Sequence, residues 1–442
     1  MLDIKYIREN PQTVQKAAKD KGIGIDVKRI IDLDKKYIEL SLEVQNIRQE
    51  RNALNESIKK NSNQWDKEGA QFLKQKLEKK EQQLNEIKED LDKLLWEIPN
   101  LPLKDVPVGD ETKFEVIRTV GKPTKFDFTP KDHLEIGQDL DIIDVQSASK
   151  VSGTRFGYLK NEGVLLEFAL VNFALENLLK EDFIPVVPPA LIKKEITEKL
   201  GYWHGKLDEK HTANENYYLV SDPEEHKQGL YLIGTGEHAI VPMHSDEILN
   251  GEELPKKYVA FSPCFRREAG SYGKDTKGIF RVHQFDKVEM VEFVKPEDDE
   301  KERKKMLSIA ENLLQKLELP YRVIKLASQD LAFPTAETID IEIWMPSQNK
   351  YRETHSISTT TDFQARRLNI KCKIRQAASR ELLGVGGGYR IEYVHILNGT
   401  AFAIGRTIIA ILENYQQKDG SILIPKVLHK YLNFTKISSE SS

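Results

Sequence analysis

Two runs of apolar residues at alternating three- and four-residue steps constrain this chain more than any other feature. The first reads Ile30, Leu33, Tyr37, Leu40, Val44, Ile47, Arg51, Leu54 and Ile58; the second reads Leu73, Leu77, Lys80, Leu84, Ile87, Leu91, Leu94 and Ile98. A seam of this kind buries itself only against a partner helix. The segment between them, residues 59–70, is polar and contains Gly69, so the spacing predicts a helical hairpin, over about residues 29–98, with its turn there and the two seams facing antiparallel. Pro99 and Pro102 end the second helix. Each helix has about 30 residues and runs about 45 Å. Two such helices make no globular core, so they are expected to project from a larger domain.

Charge is uneven along this arm. Residues 59–80 hold seven lysines against three acids, a local +4 on a chain of formal net charge −4. A lysine-rich face can be plain solvated surface, a partner-docking site, or a finger laid along a phosphate backbone. The near balance of 66 basic and 70 acidic residues excludes a wholesale polyanion coat. No apolar run reaches the roughly 18 residues of a membrane helix. The opening MLDIKYIRENPQ carries charges where a signal peptide needs an apolar stretch. Two cysteines, Cys264 and Cys372, build no disulfide framework, and a cytoplasmic location without membrane association is expected.

Beyond the arm the texture changes. Residues 1–105 are read as an N-terminal domain, 106–165 as a connector and the start of a catalytic domain, 166–434 as that domain, and 435–442 as a flexible tail. The connector carries Pro107, Pro123 and Pro130 and no sustained helical period. Residues 163–180, 296–319 and 403–416 read as helices. FIPVVPP, YLIGTGE, KYVAFSPCFRRE, KVEMVEFV, YRVIKLA and TIDIEIWM read as strands of a largely antiparallel sheet. The expected fold class is therefore α+β, with an antiparallel helical arm in front.

The densest chemistry lies in residues 261–293, FSPCFRREAGSYGKDTKGIFRVHQFDKVEMVEF. Arg266 and Glu268 are read as sharing one face of a strand, either as an ion pair or facing a ligand. An arginine on a rigid strand suits bidentate phosphate recognition, Phe285 can stack on a purine, and Glu268 can accept from an exocyclic amine. No GxxxxGK[ST] occurs, so a nucleotide site here would be built on an antiparallel sheet without a Walker loop. GVGGG at 384–388 is followed by a strand-like run and reads as a loop, not a dinucleotide fingerprint.

These segments resemble the class II aminoacyl-tRNA synthetases, in the form typical of the seryl enzymes. FRREAG…RVHQFDKVEM resembles motif 2, the strand with Pro188 and Pro189 resembles the dimer-forming motif 1, and LNGTAFAIGRTIIAILENYQ resembles motif 3. LIGTGE resembles the serine-binding Thr-x-Glu segment, YRETHSISTTTDFQARR the segment used for ATP and metal, and the hairpin the tRNA-binding arm. The resemblance implies a serine–tRNA ligase with ATP as substrate, Mg2+ as its metal, L-serine and tRNA(Ser) as partners, use on tRNA(Sec) as well, and a homodimer.

Residue by residue, it implies that Arg266 holds the α-phosphate, Glu268 and Phe285 take the adenine, and Arg406 the γ-phosphate. Arg267, Val282, Thr354 and His355 belong to the same ATP set. Glu353 and Ser356 would meet the divalent ion. Thr235, Gly236, Glu237, Arg266 and Glu289 would surround serine, with Asn398 and Thr400 holding it. The chain departs from the common pattern at Gly234, Gly236 and His355. A zinc set around His355 is not expected, since neither cysteine has a paired spacing with a histidine. Two other readings of the fold are a non-catalytic tRNA-binding paralogue and a ligase that loads an amino acid onto a carrier protein.

Overall fold

The computed structural model describes residues 1–60, 64–202, 217–222, 226–268, 277–375 and 389–439. The chain divides into two compact units, Met1–Leu101 and Pro102–Ser442.

In the first unit, two short helices, α1 (Ile4–Glu9) and α2 (Pro11–Asp20), precede α3 (Val27–Lys60) and α4 (Gln64–Trp96). Asp3 caps α1 by accepting from the Lys5 amide, and Pro11 opens α2 where its missing N–H costs nothing. Val44, Ile47 and Leu77 form the buried seam between the long helices, flanked by Leu73 and Leu84. Lys80 reaches Glu43 at 2.8 Å and Arg48 reaches Glu81 at 2.6 Å, fixing the antiparallel register. The expected turn over 59–70 is much shorter. Lys, Gln and Glu are good helix formers, so helix runs to residue 60 and resumes at 64, leaving 61–63 outside the described residues. Gly69 lies inside α4, where a Cβ would sit 3.1 Å from Leu54 Cδ2. It serves helix approach and not a turn.

The second unit is built on an eight-stranded sheet. Its strands are β1 (Glu115–Val120), β2 (Ile184–Val186), β3 (Lys256–Phe265), β4 (Gln284–Val294), β5 (Tyr321–Lys325), β6 (Glu337–Met345), β7 (Lys350–Thr359) and β8 (His395–Ala403). Their spatial order is β1-β5-β6-β7-β8-β4-β3-β2. Neighbours are antiparallel except β2, which runs parallel to β3. β1 lies within the proline-rich connector. Its side chains are mostly exposed, so it shows none of the alternation that marks a half-buried strand.

Three helices cover one sheet face: α6 (Asn161–Leu179), α8 (Asp299–Lys316) and α10 (Ile404–Tyr415). Leu166, Leu170 and Phe173 of α6, Leu313 and Leu314 of α8, and Ile408 and Ile411 of α10 meet Val288, Met290, Ile341, Ile357 and Leu397 in one core. Each such side chain contributes roughly 1.5–3 kcal/mol when fully buried. In β8, Gly399 faces α8, where a Cβ would lie 2.6 Å from Met306 Sδ. The close approach requires glycine there and turns the flanking Asn398 and Thr400 to the opposite face. No helix among the described residues is long and apolar enough to cross a membrane.

Candidate active site

The sheet face opposite those helices carries a cavity of about 530 Å3. Strand alternation builds it. Val288 and Met290 of β4 go to the core, so Phe285, Lys287 and Glu289 go to the cavity. Register then sets Glu289 opposite Thr400, while Asn398 lies between Val291 and Ser358.

At one end are Thr235, Glu237, Lys287, Glu289, Asn398 and Thr400. Glu237 begins a short helix, α7 (Glu237–Ile240), and is buried. Tyr202 OH donates to its carboxylate at 3.0 Å and Gln364 Nε2 at 2.9 Å. Burial pushes Glu237 up to about 7, the Gln364 bond opposes this, and the Glu289 charge adds to it. Lys287 Nζ contacts Glu289 Oε2 at 2.6 Å and donates to Thr235 Oγ1 at 3.2 Å. Asn398 Nδ2 is buried with no hydrogen-bond partner among the described residues. An amide donor left open at a cavity wall is available to an acceptor on a ligand.

At the other end are Arg266, Glu268, Arg281, Val282, Phe285, Glu353, Ser356 and Arg406. Arg266 Nε donates to the Gly234 carbonyl at 3.0 Å, and its guanidinium lies 5.4 Å from the Phe285 ring centre. Arg406, near the start of α10, donates to the Glu353 carbonyl at 2.9 Å and lies 3.2 Å from its carboxylate. Burial alone would raise Glu353, but Arg406 and Arg266 outweigh it and hold the carboxyl below its usual range.

A bulge aims this segment. Ile341 pairs with His355 and the adjacent Glu342 pairs with Glu353, so Thr354 is the surplus residue in β7. Glu353 and Ser356, three apart, thereby both face the cavity. Ser356 Oγ donates to Asp340 Oδ1 at 2.6 Å.

Three expected site residues are placed otherwise. His355 is fully buried on the opposite face, its ring nitrogens bonded to the Ala401 carbonyl at 2.9 Å and Thr354 Oγ1 at 2.7 Å. Burial lowers it to about 4, so it is a neutral core residue and does not line the cavity. Arg267 is exposed and does not line the cavity. Gly236 caps α7 beside Ala260 and is not in the cavity wall. Arg266 and Glu268 do not share a strand face: β3 ends at Phe265, and Glu268 adopts φ 51° in the following loop. GVGGG and residues 269–276 lie outside the described residues.

Sequence reasoning missed Lys287, Asp340, Tyr202 and Gln364. Alternation from Phe285 to Glu289 gives Lys287 directly. Nothing local signals Tyr202 or Gln364, which reach Glu237 from distant segments, Gln364 from helix α9 (Phe363–Leu368).

An antiparallel sheet floored by three helices, with arginines from β3's end and α10's start converging on one cavity, defines a class II aminoacyl-tRNA synthetase core. Residues 218–415 match the family described as tRNA synthetase class II core domain (G, H, P, S and T), and residues 1–102 match the seryl-tRNA synthetase N-terminal domain. The chain belongs to the seryl-tRNA synthetase family. It is 42% identical to the serine–tRNA ligase of Thermodesulfovibrio yellowstonii over 99% of this chain and 100% of that one. It is 48% identical to that of Sulfurihydrogenibium sp. over 78% of each. The seryl-tRNA synthetase of Pyrococcus horikoshii, solved in complex with ATP, superposes with a TM-score of 0.87 at 38% identity over 99% of both chains.

Proposed function

We propose that this cavity performs both half-reactions of a serine–tRNA ligase. Serine and ATP give seryl-adenylate and pyrophosphate, and the seryl group then passes to the 3′ end of tRNA(Ser). The observation that carries the reading is the make-up of one cavity. Glu237, Glu289 and the open amide donor of Asn398 lie with Lys287 in one part, and Arg266, Arg281 and Arg406 lie with Glu268 and Glu353 in another.

Glu237 and Glu289 suit the serine ammonium, and Thr400 and Asn398 suit the hydroxyl and its surroundings. A pocket that bonds the hydroxyl rejects alanine and glycine, because its own polar groups would be left unpaired. The serine carboxylate is ionised near neutrality, so it attacks the α-phosphorus without a general base. As that bond forms, the bond to the bridging oxygen breaks and its electron pair leaves with pyrophosphate. Arg266 and Arg406 are fixed cations for the charge that develops at the α-phosphate and on the leaving group. Phe285 and Glu268 take the adenine ring and its amine. In the second step a terminal ribose hydroxyl attacks the seryl carbonyl and AMP leaves.

Glu353, Ser356 and Asp340 form an oxygen-only wall, the donor type that suits Mg2+. Among the described residues no cluster of three His, Cys, Asp or Glu side chains could hold a metal by itself, which fits an ion that takes phosphate and water as its remaining ligands. When bound there, Mg2+ would neutralise phosphate charge.

Exposed Lys59, Lys74, Lys76 and Lys79 give the arm a cationic face for tRNA, read through its backbone shape. That readout extends to tRNA(Sec). Exposed Leu165 and Phe168 of α6, with Ile184 and Val187 around β2, form an apolar face suited to a homodimer. The cytoplasm, where both substrates reside, is the proposed location. ATP–pyrophosphate exchange with serine, threonine, alanine and glycine tests the reading. Exchange with serine alone supports it, and no exchange with any amino acid overturns it.

A further inference from the structure

We propose that Arg155 is a positioning residue for nucleotide recognition, latching residues 153–157 onto the loop that carries Glu268. The proposal rests on the reading that Glu268 and Phe285 receive the adenine. Arg155 follows the helix α5 (Val145–Ser152) and lies outside both matched family regions, 1–102 and 218–415. It does not line the cavity.

What marks it is backbone geometry at both ends of one hydrogen bond. Glu268 holds φ 51° and Arg155 holds φ 61°. Residues with a Cβ disfavour this left-handed region, so each is held there by its surroundings. A guanidinium nitrogen of Arg155 donates to the Glu268 carbonyl at 3.2 Å. The Arg155 carbonyl in turn accepts from the His283 amide at 2.9 Å. His283 then clasps Arg266: its carbonyl accepts from the Arg266 amide at 3.0 Å, and its Nδ1 lies 3.0 Å from the Arg266 carbonyl.

Packing follows the same line. The Phe156 ring centre is 5.3 Å from that of His283. A Cβ on Gly157 would lie 2.6 Å from Ile279 Cγ2, so the segment presses directly on the return limb of the nucleotide loop. One short segment therefore touches both limbs of that loop, on either side of residues 269–276. Fixing both limbs sets the direction of the Glu268 carboxylate before ATP arrives, and pre-organisation of this kind is expressed in substrate affinity.

The test uses the full-length protein in pyrophosphate exchange, with ATP and with ITP, which lacks the exocyclic amine. R155A is expected to raise the KM for ATP about tenfold, to leave the KM for serine within about twofold, and to shrink the preference for ATP over ITP. R155K, which keeps a donor, is expected to recover most of both losses. Should R155A fail to fold, R155M keeps the aliphatic stem and carries the same comparison. E268Q is measured in parallel. If E268Q loses ATP preference while folded R155A or R155M keeps it, the latch is overturned. If E268Q also keeps it, the adenine reading fails and the latch falls with it.

Discussion

Lys287 Nζ lies 2.6 Å from Glu289 Oε2, both on the cavity face of β4 and both buried. The pair sets a cation beside Thr235 and against one of the two carboxylates at that end of the cavity. Removing one member of such a pair leaves its partner charged and uncompensated, at about 3–5 kcal/mol. Lys287→Met is therefore expected to lose about 3 kcal/mol of stability in urea unfolding. Its kcat/KM for serine should fall about a hundredfold, and a variant that matches wild type in both would show that Lys287 is a bystander.

Glu237 gives the pocket a pH dependence. Burial pushes its carboxyl up to about 7, against bonds from Gln364 and Tyr202. In the proposed reading ionised Glu237 attracts the serine ammonium and protonated Glu237 does not. The KM for serine should thus fall as pH rises from about 6 to 8 and level off above the pKa, about tenfold per unit below it. Glu237→Gln should flatten the profile. Stability runs the other way. The folded value lies above the ordinary 4.5, so this group's contribution is full below about 4.5 and is lost as pH climbs towards about 7.

In the proposed mechanism Arg266 supplies the charge that adenylate formation needs at phosphorus. Arg266→Ala should lower pyrophosphate exchange by about 10²–10³ while the circular dichroism spectrum stays unchanged. Near-normal exchange in a folded variant would remove Arg266 from the proposed role.

Deletion of residues 40–94, which lie within the first compact unit, separates the two half-reactions. Adenylate formation should persist and tRNA charging should vanish. Charging that survives the deletion contradicts the assignment of the arm to tRNA.

Much of this was legible in the chain because periodicity encodes burial. The seam from Val44 to Leu77 announces itself that way, and α6 announces itself as a helix by its broad apolar coverage. Arg266 and Glu268 stand out because charged residues interrupt strand-like text, whereas Arg406 is singled out only by the resemblance of its segment to motif 3. Other features have no local signature. β1 exposes nearly every side chain, so its text looks like a loop. The expected turn over 59–70 is longer than the observed gap because polar residues form helix as readily as turn when no proline intervenes. The resemblance puts His355 with the nucleotide, and a bulge is invisible in sequence: one surplus residue at Thr354 turns it inward. Gln364, Tyr202 and Arg155 act across intervals of 127, 35 and 113 residues, and no window along the chain contains both partners.

The bulge at Thr354 also bears on how this site can change over time. Side chains on a strand point to alternate faces, so position along β7 is counted in parity. With the surplus residue in place, Glu353 and Ser356 fall on the wet side and His355 on the dry side. Deleting the surplus Thr354 would leave Glu353 and Ser356 two apart and still on the wet side, with His355 between them on the dry side. Inserting one residue between Glu353 and Ser356, with the bulge kept, would instead put those two on opposite faces in a single event. This segment can therefore shorten by one residue and keep its parity, whereas it cannot lengthen by one.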